Sequence, residues 1–213
     1  MKVKALADFS LPYAEYLDTA HPCMLLQQEV GGAGIDCELF TRSLMTIDQL
    51  REEKGYQDVT ILINTPGGDV NKGMGICDAI LRVKIPVDTF IINAKSMGAC
   101  IAAQGREVTI AEFGQEMIHE ASFGDEETDK ERKEELELAN DTIAKLISSR
   151  RSISYEAVRK LMKRETWIKS EEALELKLVD EIEKSENLNN TAKFAGTIVA
   201  TANRVELLKK KVA

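Results

Sequence analysis

The feature that most constrains the fold is a twice-repeated order of apolar strand, short turn and helix. Residues 59–63 form an unbroken β-branched and aliphatic run, as expected of a parallel strand covered on both faces. Pro66-Gly67-Gly68 ends this run, and the pattern after Asp69 predicts a helix to about Val83. A second strand over 87–92 leads into a short helix from Ser96 to about Gln104. The alternation predicts an α/β domain with right-handed crossovers.

Elements on either side of this unit follow from shorter patterns. Residues 23–26 predict a strand, and Asp36 is placed to cap a helix whose apolar face is Phe40, Leu44, Ile47 and Leu50. Within the helix after Asp69, the predicted apolar side is Met74, Ile76, Cys77, Ile80 and Leu81. Gly73 and Gly75 each cost this helix about 1 kcal/mol against alanine, so we expect close packing against a neighbour at both.

The second half of the chain predicts two short strands, 108–110 and 117–119, and then a long helix. Residues 125–135 are almost all charged, which indicates either a solvated face or a projecting element that meets another subunit. The apolar stripe that follows is Leu136, Ala139, Ile143 and Leu146. Further helices are predicted over 155–162, over 170–176 with Ser170 as cap, and, weakly, over 194–211.

Composition excludes several classes of function. The net charge is -8, and no basic cluster is longer than Lys209-Lys210-Lys211, so we expect no nucleic-acid partner. No apolar stretch approaches the roughly 20 residues that span a bilayer. The four cysteines are widely spaced, which predicts small buried side chains in a reducing, cytoplasmic compartment. His21-Pro22-Cys23 lacks the further ligands that zinc needs, so neither a metal nor a cofactor is expected.

Three groups in the sequence point to acyl transfer. Ser96 stands at a predicted helix start, and its hydroxyl needs a base to remove its proton during attack. His119, one of two histidines, ends an apolar strand and is the candidate base; a buried structural imidazole is the ordinary alternative. The backbone amides of Gly68 and Met97 are the candidate oxyanion donors. The surroundings of the serine are not Gly-x-Ser-x-Gly, so the α/β-hydrolase elbow is not predicted.

Lys95 precedes the serine and raises the alternative of a Ser–Lys dyad. Because adjacent residues of an extended chain point to opposite faces, we expect its amine not to reach the Ser96 hydroxyl.

Four segments resemble the Clp protease proteolytic subunit (ClpP) family. They are Asn64 to Val70, Ala94 to Ala99, Met117 to His119, and Arg164 to Ala173 followed by Leu178-Val179-Asp180. The resemblance covers roughly residues 23–183. It implies a crotonase-like, ClpP-type β/α spiral, with the charged helix as a protruding handle. The implied domains are a protease domain at 1–183 and a partly flexible tail at 184–213.

The resemblance also implies a site. In it Ser96 is the nucleophile, His119 the general base, and the Gly68 and Met97 amides form the oxyanion hole. The family's usual aspartate falls at Glu165, whose longer carboxylate can still orient an imidazole; the alternative is a plain surface glutamate. Glu120-Ala121 stands where the family usually has Gln-Pro, and the front half is closest in style to phage and prophage head-maturation proteases.

The expected function is therefore a serine endopeptidase acting on protein or peptide substrates inside a homo-oligomeric ring, a heptamer or double ring. An AAA+ unfoldase or phage capsid proteins are the implied partners. The chain has no phosphate-binding loop motif of its own, so any ATP use requires a partner. Two alternatives stay open: an acyl-CoA hydratase or isomerase on the same fold, and a non-catalytic ring protein.

Overall fold

A computed structural model describes residues 11–15, 17, 19–122 and 130–185. The chain divides into two compact units, residues 1–182 and 183–213, and the fold given below is that of the first. Residues 125–129 of the charged segment and the whole predicted helix over 194–211 lie outside the described residues.

The described residues form one seven-stranded sheet, ordered β1-β2-β3-β4-β5-β6, with β7 paired to β5. The strands β2 to β5 run parallel, whereas β1 and β6 are antiparallel to their neighbours. Their bounds are β1 Ala14–Glu15, β2 Cys23–Leu26, β3 Val59–Thr65, β4 Val87–Lys95, β5 Val108–Ile118, β6 Thr166–Lys169 and β7 Glu181–Glu183.

Helices connect the parallel strands, as the α/β prediction requires. Their bounds are α1 Cys37–Lys54, α2 Val70–Arg82, α3 Met97–Ala102, α4 Lys130–Arg150, α5 Tyr155–Lys163 and α6 Ser170–Glu175. Asp36 caps α1 as predicted, and Asp69 caps α2; each side chain accepts a backbone N–H of the first turn. Lys169, not Ser170, is the cap residue of α6, since the Ser170 hydroxyl instead donates to the carbonyl of Glu112.

The two strands predicted at 108–110 and 117–119 are one strand, β5. Ile91 of β4 pairs with Ile110, and Asn93 pairs with Gln115. Between these two pairs the chain advances two residues along β4 but five along β5. The extra residues form a bulge that interrupts the alternation of apolar side chains without ending the strand. His119 itself lies just beyond the end of β5.

The buried face of α2 differs from the prediction at one end. Ile76, Cys77 and Ile80 are buried, but Leu81 is 44% exposed, and Ala79 takes its place in the core. All four cysteines of the chain are free and buried, as predicted.

The two glycines of α2 have different reasons for being there. A Cβ at Gly73 would lie 2.2 Å from the Cγ of the buried Met97, so the predicted close packing is confirmed at this position. At Gly75 nothing lies within 4 Å of such a Cβ, and the prediction of close packing there is wrong. Only Gly73 lets α2 approach α3.

Alanine substitution should therefore change stability in opposite directions at the two positions. Gly75→Ala should raise the free energy of unfolding by about 0.5–1 kcal/mol, because it lowers backbone entropy without a clash. Gly73→Ala should lower it by about 1–3 kcal/mol, because Met97 must leave its packed position. Urea unfolding of both variants checks this, and a gain at Gly73 would contradict the packing argument.

The buried stripe of α4 is offset by one position from the predicted one. Ile143 is buried as predicted, but Leu136, Ala139 and Leu146 are only half-buried. The observed stripe is Asn140, Ile143, Ala144 and Ile147. A polar residue at the head of this stripe is not expected from an apolar pattern.

Glu116 is a carboxyl group buried in the sheet, with 3% of the residue exposed. Glu116 pairs with Ala94 of β4 on one side and with Ile168 of β6 on the other. Ala94 stands two residues before Ser96 in the chain. One carboxyl oxygen has no hydrogen-bond partner in the described part of the chain. Burial raises the pKa of Glu116 from 4.5 to about 8, and the charge of Arg151 only partly offsets that rise. The side chain is therefore protonated at neutral pH.

This raised pKa predicts a pH-dependent stability. Below pH 4.5 the carboxyl binds its proton in both the folded and the unfolded chain, and between pH 4.5 and about 8 only the folded chain keeps it. The free energy of unfolding therefore falls across this window, by up to about 5 kcal/mol in total. Glu116→Gln should match the unsubstituted chain near pH 4 and exceed it at pH 8. Parallel pH dependences in denaturant titrations would exclude this role.

Candidate active site

Ser96 lies on the sharp turn between β4 and α3. Its φ of 53° and ψ of -121° are unusual for a residue with a side chain. Its N–H donates to the carbonyl of Met117 at 2.7 Å, which fixes the turn to the end of β5. A strained strand-to-helix turn of this kind presents a serine hydroxyl, although Ala94 stands where the hydrolase motif has its first glycine. The chain therefore has a strained serine turn although the glycine pattern of the hydrolase motif is incomplete.

His119 meets Ser96 as the sequence predicted. The distance from His119 Nε2 to Ser96 Oγ is 2.7 Å, within hydrogen-bond range, and both residues are half-buried. When Nε2 accepts the hydroxyl proton, the ring carries its own proton on Nδ1. This geometry is the one in which an imidazole can act as a general base towards an alcohol.

The diglycine turn after β3 allows two close backbone approaches. A Cβ at Gly67 would lie 2.6 Å from the Lys95 carbonyl oxygen and 2.7 Å from Ser96 Cβ. A Cβ at Gly68 would lie 2.4 Å from the carbonyl oxygen of Val30. Both glycines have positive φ, 94° and 145°. Gly67, the first glycine of this turn, is the residue that contacts the serine turn.

The two candidate oxyanion donors are free backbone amides. Val30 bonds to the Gly67 carbonyl and to the Asp69 N–H, so the Gly68 N–H between them points away from Val30. Met97 is the first residue of α3, where a helix has no internal acceptor for an N–H. Within the described ranges, neither amide has a hydrogen-bond acceptor. Both amides can therefore donate a hydrogen bond to a ligand.

Glu165 stands at the end of the ladder between β5 and β6. Ile118 pairs with Thr166 in this antiparallel ladder, so His119, after Ile118, and Glu165, before Thr166, stand just beyond its last pair. Glu165 is exposed and has a φ of 49°, and its N–H donates to the Met162 carbonyl. Among the residues that the structure describes, no hydrogen bond or ion pair joins its carboxylate to His119.

Lys95 is directed away from the serine, as expected. Its Nζ lies 4.9 Å from the centre of the Trp167 ring, a cation–π distance. Lys95, Met117 and Trp167 pair in one row across β4, β5 and β6. The partner of the Ser96 hydroxyl is His119 and not this amine.

A cleft of about 470 Å³ opens beside the turn. Gly68 and Ala121, which follow Gly67 and His119 closely in the chain, both line it. Its wall is mainly apolar, and the carboxylates of Asp69 and Glu135 line it as well. The cleft has room for a side chain of a bound peptide.

Residues 11–15, 17, 19–122 and 130–185 contain neither a membrane-spanning helix nor a cluster of metal ligands. No helix in those ranges is long and apolar enough to cross a membrane. No group of three or more His, Cys, Asp or Glu side chains there is arranged to hold a metal ion.

The fold and the Ser–His pair define a class, the serine hydrolases built on an α/β sheet, and comparison with known proteins narrows it. A family model described as Clp protease matches residues 24–186. Proteins named ATP-dependent Clp protease proteolytic subunit, from Streptococcus sanguinis (strain SK36) and Streptococcus pneumoniae (strain Hungary19A-6), are similar to the chain. Each is 31% identical over 151 residues, which cover 66% of this chain and 76% of the relative.

The chain belongs to the Clp protease family, and its α/β sheet is of the ClpP type. It is a peptidase of the serine type. The predicted enzyme class, a serine peptidase, is thereby confirmed. The alternative of an acyl-CoA hydratase is set aside.

Proposed function

We propose that the chain hydrolyses peptide bonds with Ser96 as nucleophile, His119 as general base and Glu165 as the group that orients the imidazole. The observation that carries the proposal is the 2.7 Å contact between Ser96 Oγ and His119 Nε2, next to two free backbone amides. An acyl-CoA hydratase needs no such pair, so the contact favours attack by an alcohol.

The proposed reaction begins with attack of Ser96 Oγ on the scissile carbonyl while His119 takes the hydroxyl proton. The carbonyl oxygen becomes an oxyanion, and the amides of Gly68 and Met97 donate to it. Removal of one such donor commonly costs about 2.7–4 kcal/mol of transition-state stabilisation. His119 then returns the proton to the leaving amine, and water releases the acyl group from Ser96 by the same route.

Substrate and assembly follow from the family. The cleft beside Gly68 supports binding of a peptide side chain, with an apolar wall for its stem. We propose a homo-oligomeric ring chamber, formed by a protease domain at residues 1–183, with α4 as the handle. The named relatives are ATP-dependent, which supports an ATPase partner, while the phage-type role with capsid proteins is the more specialised version. Four free cysteines support a reducing, cytoplasmic setting.

The proposed nucleophile and base can be tested by covalent labelling. A fluorophosphonate should label Ser96 in the unsubstituted chain, Ser96→Ala should abolish labelling and peptide hydrolysis, and His119→Ala should slow both by about 10⁴-fold or more. His21→Ala is the matched control, because His21 pairs with Asp58 and has no contact with Ser96. Mass spectrometry of the labelled peptide identifies the residue. Labelling that persists in Ser96→Ala would exclude this nucleophile, and an unsubstituted chain that neither labels nor hydrolyses would favour the non-catalytic alternative.

The role of Glu165 needs a separate test, because its carboxylate is not bonded to His119 here. Glu165→Gln keeps the length of the side chain and the left-handed backbone but removes the charge. If the carboxylate orients the imidazole and stabilises its cation, kcat/KM should fall by about 10²–10⁴-fold with little change in unfolding free energy. An activity within twofold of the unsubstituted chain would make Glu165 a surface residue.

A further inference from the structure

The proposed base, His119, is the first residue after the end of β5 and lies outside the sheet. The ladder between β5 and β6 ends at Ile118 and Thr166, so residues 119–122 have no strand partner among the described residues. Yet His119 must hold its ring within hydrogen-bond distance of Ser96 Oγ. Something outside the sheet has to fix this short segment.

Asn140 of α4 supplies a buried support for this segment. Its Oδ1 accepts a hydrogen bond from the N–H of Ala121 at 2.8 Å. Asn140 is only 4% exposed and heads the stripe that packs α4 against the core, with Ile143, Ala144 and Ile147 after it. Because Ala121 is not a proline, it has an N–H that needs an acceptor away from water, and Asn140 is that acceptor.

A second contact to α4 comes through the neighbouring residue, but it is weaker. Glu120 lies 3.7 Å from Arg159, and Arg159 in turn pairs with Glu137 of α4 at 2.8 Å. The carboxylates of Glu120 and Glu137 are 38% and 66% exposed, so water competes for these charges. The hydrogen bond from the Ala121 N–H to Asn140 Oδ1 is therefore the more rigid of the two contacts with α4.

We infer that Asn140 is a positioning residue for the reaction: through Ala121 it fixes the segment that holds His119 against Ser96. The inference rests on the proposed function for its catalytic meaning. A misplacement of about 1 Å in a reacting group can cost about 10²-fold in rate. Ala121 and Ser122 also line the cleft, so the same bond sets one of its walls.

The test compares Asn140→Ala with Ile147→Val, a matched control in the same buried stripe with no bond to residues 119–122. Asn140→Ala should lower kcat and the rate of fluorophosphonate labelling together, by roughly 10- to 100-fold, with a smaller change in KM. Ile147→Val should leave both rates within twofold. Should Asn140→Ala fail to fold, Asn140→Ser replaces it, because its hydroxyl can bond to a carbonyl of its own helix and is too short for Ala121. Rates equal to those of the unsubstituted chain in a folded variant would overturn the inference.

A second readout does not depend on turnover. In a His21→Ala background His119 is the sole imidazole, so its ring signal can be followed by NMR at a fixed pH. Asn140→Ser should move this signal towards that of Ser96→Ala, because both variants lose the contact between the ring and the hydroxyl. A ring signal unchanged by Asn140→Ser would leave Asn140 a purely structural residue. An unsubstituted chain that neither labels nor hydrolyses would instead count against the proposed function alone.

Discussion

The close approach of Gly67 to the serine turn is the contact on which the rest of the site depends. The parallel strands β3 and β4 end side by side, and any side chain at residue 67 would occupy the space of the Lys95 carbonyl and of Ser96 Cβ. Without that side chain, the diglycine turn packs directly against the serine turn, close to the backbone nitrogen of Met97. A single missing Cβ thus allows the ends of β3 and β4 to meet at one edge of the sheet.

Strain at this edge is balanced by the packing beneath it. Ser96 and Glu165 both have positive φ, and each such residue costs of order 1–3 kcal/mol. The helix that follows Ser96 is buried throughout, and Gly73 and Gly98 let α2 and β3 pack directly against it. The apolar contacts of α3 hold the turn in a conformation that an isolated peptide would leave. Stability in the core is what permits an unfavourable backbone at the site.

Sequence patterns predicted the elements whose signal is local, and failed where the determinant is a distant contact. β2, α1 and α2 follow from runs, periodicity and caps, and Ser96 and His119 from residue type and position. The bulge in β5 depends on pairing with β4, and β6, which is as short as β2, has only Ile168 buried and so lacks the apolar run that predicted β2. Gly67 and Asn140 act on partners 29 and 19 residues away, Ser96 and Ala121. A local sequence pattern carries no information about such a contact. In sequence, a buried polar residue on a helix cannot be told from a solvent-exposed one.

The proposed orienting residue differs in kind from the other members of the site. Ser96, His119 and the two amides are held by backbone bonds, a strained turn and buried neighbours, so they need little rearrangement before reaction. The Glu165 carboxylate is exposed, on a side chain with one more methylene than aspartate, and must be ordered to reach the Nδ1 atom of His119. Ordering a long glutamate side chain costs up to about 2 kcal/mol in lost rotamer freedom. Under the proposed role, any event that immobilises Glu165, such as substrate or subunit binding at this edge, would therefore raise activity without moving Ser96 or His119.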